Sequence, residues 1–573
     1  MDGLPDALER LTARLETLER RVKALEHPSE AAVPTPAFRS DLSSPAQTVE
    51  TRSITPAGGM FSVLGRAMLG MAGAYLLRAV AEASLLPRPV VAALAIVYAI
   101  LWLVWATRVP AGAWFASITY ACTSALILAP MLWELTLRFK VLPVAVTAGV
   151  LGVFVIAASA LAWKRNVASV FWIANLTAAA VALTLSIATH ELEPFIAALL
   201  LMVLLCEYAA GRDRELGVRS LVALAADLSV WALIYIYTSP ADTRPDYPVV
   251  GTAELIAPGL ILFLIYGTSV IFRTAVKKKS ITAFETAQTM IAFLLAACGW
   301  LYFGPGGGGN DLGVFCLVLS AAGYAAVFAI FDRGRFSDRR NYVVFACWSA
   351  ALFLAGGWLC LPPLWFALCL GVASIIASVL GVRLKKLTLE IHGAIYLVAA
   401  AAVSGLLEYA LFALAGTLPG APAWSVCFVA ACAAVCYATG RTDQGESWKR
   451  QILPIVSASV ATGAAAAMLV EGLMGLAALS MNPGPQHLAF LRTLTLCAAA
   501  LALAFWGSHW RRRELTGMGY AMLALVAVKL VFEDLRLGNL EFIAASIFLF
   551  AVTLIAVPHL ARMGQKTKDA ASG

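Results

Sequence analysis

Charge is what this sequence has least of. Asp, Glu, Lys and Arg make up 13% of its 573 residues, against roughly 25% in a soluble domain. The chemistry that needs charge is missing with it. There is no HExxH, no serine–histidine–acid constellation and no carboxylate-rich loop. The polar connections are too short to build a soluble catalytic domain, so enzymatic chemistry is not expected. No histidine pattern accompanies Cys427, Cys432 and Cys436, which share one apolar stretch, so neither a metal nor a cofactor is expected there. The eleven cysteines sit in apolar blocks and read as small buried residues. The run Gly304–Pro305–Gly306–Gly307–Gly308–Gly309 lacks the following Lys and Ser/Thr of a phosphate loop and reads as a turn. The first apolar run begins only after a long polar segment, so no signal peptide is visible.

What fills the chain is apolar: 61% of it, in long blocks. A backbone in lipid must satisfy its own hydrogen bonds, which leaves helices or closed barrels. Blocks of roughly 20 residues argue for helices, because barrel strands need only about 10 and alternate. The expected fold is all-α, a polytopic transmembrane bundle of about eighteen spans. The blocks are 60–80, 87–107, 111–133, 141–163, 167–189, 194–211, 217–238, 252–272 and 284–303. They continue as 312–331, 341–361, 363–382, 390–412, 423–440, 452–472, 489–507, 517–533 and 541–560. Small residues such as Gly463 and Ala467 are expected where helices approach closely.

Before the blocks lies a heptad. Leu4, Leu8, Leu11, Leu15, Leu18, Val22 and Leu25 alternate spacings of four and three, so residues 1–27 read as an amphipathic, coiled-coil helix. In a parallel pair Arg14 faces Glu19 and Arg21 faces Glu26, which points to a homo-oligomer through this helix. The alternative is a single helix lying on the bilayer. Residues 28–59, with Pro34, Pro36, Pro45 and Pro56, have little to bury and read as a disordered tether. Residues 562–573 read as a disordered basic tail.

The formal charge of +8 does not indicate nucleic acid, because the bases fall in short clusters between apolar blocks. One set of connections holds Lys164–Arg165, Arg212/Arg214/Arg219, Arg273/Lys277/Lys278/Lys279, Arg333/Arg335/Arg339/Arg340, Arg383/Lys385/Lys386, Arg441/Lys449/Arg450 and Arg511/Arg512/Arg513. The alternate connections are nearly bare. By the positive-inside rule the basic set is cytoplasmic, and both termini with it. Arg138 and Lys140 fall on the other side, against the rule. Outward-running spans end in acids: Glu82, Glu134, Glu191, Glu408, Glu471, Glu533 and Asp534. Two readings fit these acids, a surface for a cationic group or local caps and pairs.

Ionisable residues inside spans are costly and mark function or packing. The candidates are Arg66, Arg78, Glu82, Asp227, Glu408, Lys529, Glu533 and Asp534. Arg78–Glu82 and Lys529–Glu533 share one order and spacing, base first and acid four residues later. Each group either belongs to an ion or proton path or forms an interhelical pair.

Two segments resemble a known family. GRAMLGMAGAYLLRAVAE (65–82) is similar to the opening, and GYAMLALVAVKLVFEDL (519–535) to the closing segment, of a family of uncharacterised bacterial membrane proteins, domain-of-unknown-function family 2339. Lys529, Phe532 and Asp534 stand in the matching places. The resemblance implies a multi-pass protein of the bacterial inner membrane and brings no activity. Transporter-like bundle and envelope scaffold are the leading expectations, with a membrane-embedded transferase at the outer face as the alternative.

Overall fold

A chain this apolar can pair its backbone in lipid only along its own helices. The computed structural model describes residues 56–572 except 84, 111–112, 215–216, 329–338, 441–447, 481–483 and 537–539. The heptad and the tether up to residue 55 lie outside the described residues. Among the described residues there are nineteen α-helices and no strand.

In chain order these are α1 (Pro56–Glu82), α2 (Arg88–Arg108), α3 (Trp114–Trp133), α4 (Val144–Arg165), α5 (Ala168–Thr189), α6 (Glu193–Gly211), α7 (Arg219–Thr238), α8 (Thr252–Ile271) and α9 (Ala283–Phe303). Then come α10 (Gly309–Ala326), α11 (Arg339–Cys360), α12 (Pro363–Leu384), α13 (Leu387–Val403), α14 (Leu406–Ala415) and α15 (Trp424–Thr439). The last are α16 (Ile452–Ser480), α17 (Pro485–His509), α18 (Arg513–Phe532) and α19 (Leu540–Ser572), which continues through the basic segment after residue 561.

Sixteen of these helices are long and apolar enough to cross a membrane, and α13–α14 makes a seventeenth if the bent pair counts as one. The remaining expected block, 423–440, forms α15, whose 16 residues reach only about 24 Å at 1.5 Å per residue, shorter than a hydrocarbon core near 30 Å. The block 390–412 is the other departure from a straight span. Gly405 takes a left-handed φ of 79°, closing α13 and starting α14 at a bend of 67°. That conformation costs glycine little and most other residues a good deal.

Burial separates an N-terminal core, from Ala99 in α2 to Leu295 in α9, from a C-terminal core running from Ala350 in α11 to Ala467 in α16. Smaller clusters join α17, α18 and α19. Close approach depends on small residues: the α10–α11 pair meets with Gly356 against the Gly313 carbonyl. Ala467 is fully buried, but nothing lies against Gly463, so only one of the two expected small residues serves packing.

Side-chain contacts tie the basic connections together at one end. Arg214 Nη1 donates to the Trp163 carbonyl at 2.8 Å, and neighbouring Asp213 receives Lys277 at 2.8 Å and Lys279 at 2.5 Å. Asn341 accepts from the Ile281 amide at 2.7 Å and donates to the Lys279 carbonyl at 2.9 Å. Lys386 lies 5.5 Å from the Tyr342 ring centre. Arg512 donates to the carbonyls of Tyr437 and Gly440. We call this the basic end.

Arg138 does lie at the opposite end, and the structure shows what accommodates it there. It contacts Glu82 at 3.2 Å, while Arg78 contacts Glu82 at 3.4 Å and Glu134 at 2.9 Å. Glu134 and Arg138 stand on a π-turn, Glu134–Arg138, that follows Pro130 in α3. Such wider turns re-aim side chains.

Candidate functional site

The end of α14 poses a problem of hydrogen bonding. The last carbonyls of a helix have no partner within it and carry its negative end charge. In α14 they are met by an arginine from another span. Arg492, in the second turn of α17, donates Nε to the Ala413 carbonyl at 2.7 Å and Nη2 to the Phe412 carbonyl at 3.1 Å and to the Gly416 carbonyl. Its Nη1 donates to Glu533 Oε1 at 2.7 Å. The side chain is 3% exposed. A planar fork with five donors suits this task, whereas an ammonium acts as a single point.

Lys529 of α18 lies beside it. Its Nζ donates to Asp534 at 2.8 Å, to the Thr493 hydroxyl at 2.6 Å and to the Ala489 carbonyl. Thr493 in turn donates to the second oxygen of Asp534 at 2.8 Å. Glu533 is 3.6 Å from Lys529, so the expected i,i+4 pair is the weaker contact. α18 ends at Phe532, and Glu533 caps it, its amide donating to the Lys529 carbonyl. The chain then turns through Asp534–Arg536 and swings Asp534 under the ammonium. Two bases and two acids make the cluster neutral.

These charges form part of the wall of a cleft of about 640 Å³ between α14, α17 and α18, with Leu414, Thr417, Leu488, Leu496, Leu525, Val528 and Phe532 around them. Arg492, Lys529 and Glu533 are its charged members.

A second cluster sits in the N-terminal half near the basic end. Arg219 grips Glu207 with two bonds, Nε at 2.5 Å and Nη2 at 2.6 Å, and reaches Glu285 at 3.2 Å. Arg273 also donates to Glu285, and Ser269 to Glu207 at 2.5 Å. Arg273 stands on the second π-turn, Phe272–Val276. Glu285 caps α9 with Thr282 as well, accepting from the Thr282 amide at 2.9 Å. Farther along α7, Asp227 is buried and accepts from Gln288 of α9 at 2.8 Å on both oxygens.

The eight expected residues therefore separate. Lys529, Glu533 and Asp534 come together at the cleft. Arg78 and Glu82 join Glu134 and Arg138. Asp227 is held by an amide, apart from both groups. Arg66 is exposed on α1, 3.5 Å from Ser62, and Glu408 is exposed in the first turn of α14, where an acid favours the helix dipole. Sequence reasoning missed Arg492, although a lone arginine inside the block 489–507 carries the same signal as Lys529. Glu207 and Glu285, inside the blocks 194–211 and 284–303, were open to the same argument. Among the described residues no group of three His, Cys, Asp or Glu is placed to hold a metal ion.

No known family, curated protein or solved structure matches this chain.

Proposed function

We propose that this polytopic helical membrane protein is a transporter-like bundle of a bacterial inner membrane and that the cleft beside Arg492 is its working site. One observation carries the reading: a crossing broken by 67° whose outer half ends on buried charges in the wall of an open cleft. Transport bundles use broken helices to aim backbone dipoles at a polar solute near the membrane interior. By the positive-inside rule the basic end is cytoplasmic and both termini lie there, with the broken α13–α14 pair and the short α15 each taken as one crossing. The resemblance of residues 65–82 and 519–535 to uncharacterised bacterial membrane proteins supports the inner membrane. The heptad at residues 4–26 supports parallel self-association, for which a cysteine at Leu11 is the cross-linking probe.

Transport requires that one position be reached from both sides in turn. In a cysteine-free background, a single cysteine at Leu488 in the cleft wall should react with an impermeant maleimide from each face of oriented vesicles. Labelling from one face alone under all conditions sinks the transport reading. The envelope scaffold then takes its place, favoured by Asp227, which is paired and lines no described cleft. The transferase alternative calls for acids grouped at an outer cleft, whereas Glu533 contacts Arg492 and Lys529 and Asp534 contacts Lys529.

A further inference from the structure

The cleft is not an aqueous pocket in its surroundings. Leu525, Val528 and Phe532 are 47%, 54% and 67% exposed, and they form one stripe down α18 at spacings of three and four. Within a membrane-crossing helix, exposure means contact with lipid, so the cleft opens sideways into the bilayer. Among its polar groups, Glu533 and Thr417 mark the outer level. Leu525 lies eight residues deeper than Glu533, about 12 Å along the helix. Polar above and apolar below is the order of a lipid in that leaflet.

The hydrogen-bond count selects the head group. All three N–H groups of Lys529 are placed, on Ala489, Thr493 and Asp534. Arg492 has placed four of its five. What remains is mainly acceptor capacity. Glu533 gives one oxygen to Arg492 and leaves Oε2 at 3.6 Å from an ammonium whose hydrogens are directed elsewhere. Glu533 is also the most exposed of the four charged groups, at 24%. An ammonium donor completes this site, whereas an anionic head meets bases already neutralised.

We propose that the cleft binds a phospholipid with a primary ammonium head group, the ammonium on Glu533 and an acyl chain along Leu525, Val528 and Leu496. The inference rests on the cleft being the working site and names what occupies it. The test is lipid retention by the full chain. The protein is placed in nanodiscs of equal parts phosphatidylethanolamine, phosphatidylcholine and phosphatidylglycerol, then extracted and stripped, and the retained lipid is measured by mass spectrometry. Retained phosphatidylethanolamine should be enriched about tenfold over each of the others, the weight of one charge-assisted contact. Glu533→Gln keeps an oxygen for Arg492 but removes the charge, and should abolish the head-group preference. Val528→Trp fills the cleft and should lower total retention, with thermal unfolding as the check on folding. Leu525→Phe is the second filling variant.

Enrichment of phosphatidylglycerol, absence of preference, or a preference that survives Glu533→Gln overturns the proposal. The outcome separates from that of the transport reading. Selective retention with one-sided cysteine access upholds this site while transport fails. Two-sided access without head-group preference overturns this site alone.

Discussion

Arg492 closes a helix that it does not belong to: its Nε donates to the Ala413 carbonyl, 79 residues earlier in the chain, at 2.7 Å. The same guanidinium binds Glu533 at 2.7 Å, so one side chain joins α14, α17 and the end of α18. Removing it takes the side-chain donor from the carbonyls of Ala413 and Gly416 and from the Glu533 carboxylate, while the Phe412 carbonyl keeps the Gly416 amide. Arg492→Met should destabilise the protein by about 3 kcal/mol or more, the scale for breaking a buried pair. Arg492→Lys should recover less than half of the loss, because a point charge cannot span the same acceptors. Unfolding in mixed micelles measures both. A methionine variant as stable as the parent would dismiss the clamp.

Lys529 and Asp534 should behave as one unit. Either single change, Lys529→Met or Asp534→Asn, leaves a buried group with its hydrogen-bond partners incomplete. Each should cost about 3 kcal/mol on the scale for broken buried pairs. The double variant should cost clearly less than the sum, with a coupling of about 1 kcal/mol or more. Glu533→Ala should be milder than Asp534→Ala, since Glu533 is 24% exposed and Asp534 only 4%.

Glu285, which binds Arg219 of α7, and Asp227, which lies on α7, should differ in what their loss costs. Glu285 accepts from Arg219, Arg273 and the Thr282 amide. Glu285→Gln disturbs all three and should cost about 2–4 kcal/mol, since it removes a buried carboxylate from two arginines, of which Arg219 keeps Glu207. Asp227 accepts from the neutral Gln288 amide, and among the described residues it is in no salt bridge. Asp227→Asn keeps an acceptor for it and should stay within about 1 kcal/mol of the parent. Equal losses would mean that Asp227 has a charged partner.

Topology is open to direct measurement. Reporter fusions at Lys278 and Arg512 should report cytoplasm, and fusions at Gly307 and Gly420 the outside. Lys278 lies between Lys277 and Lys279, which Asp213 ties to the preceding basic connection, so these loops must report together. Lys278 and Gly307 on one side would break the alternation.

Asp213 supplies a pH dependence. Hydrogen bonds from Lys277 and then Lys279 lower its pKa from the usual carboxylate value to about 2. A carboxylate with a depressed folded-state pKa contributes fully above its unfolded value, near 4, and loses the contribution as pH falls toward about 2. Its exposure keeps the effect small and salt-sensitive. Hydrogen exchange in residues 277–282, corrected for intrinsic rates, should quicken between about pH 4 and pH 2. Asp213→Asn should flatten that step.

The crossings themselves were legible in the sequence, because hydropathy is a local quantity: a run of about 20 apolar residues costs nothing in lipid wherever its neighbours lie. The rarity of Asp227 and Lys529 within such runs was legible for the same reason. Their partners were not. Lys529 takes Asp534 over Glu533 because α18 stops at Phe532, a helix end that sequence spacing does not mark. Arg138, out of place by the charge rule, is accommodated by Glu82, 56 residues away. Arg492 passed as one residue of an apolar block, and its acceptors are backbone carbonyls 76–80 residues distant, which no side-chain pattern announces. The cost of burying a charge depends on the residue and its depth. The group that offsets this cost depends on which helices stand side by side and where each one ends, and only the tertiary structure decides that.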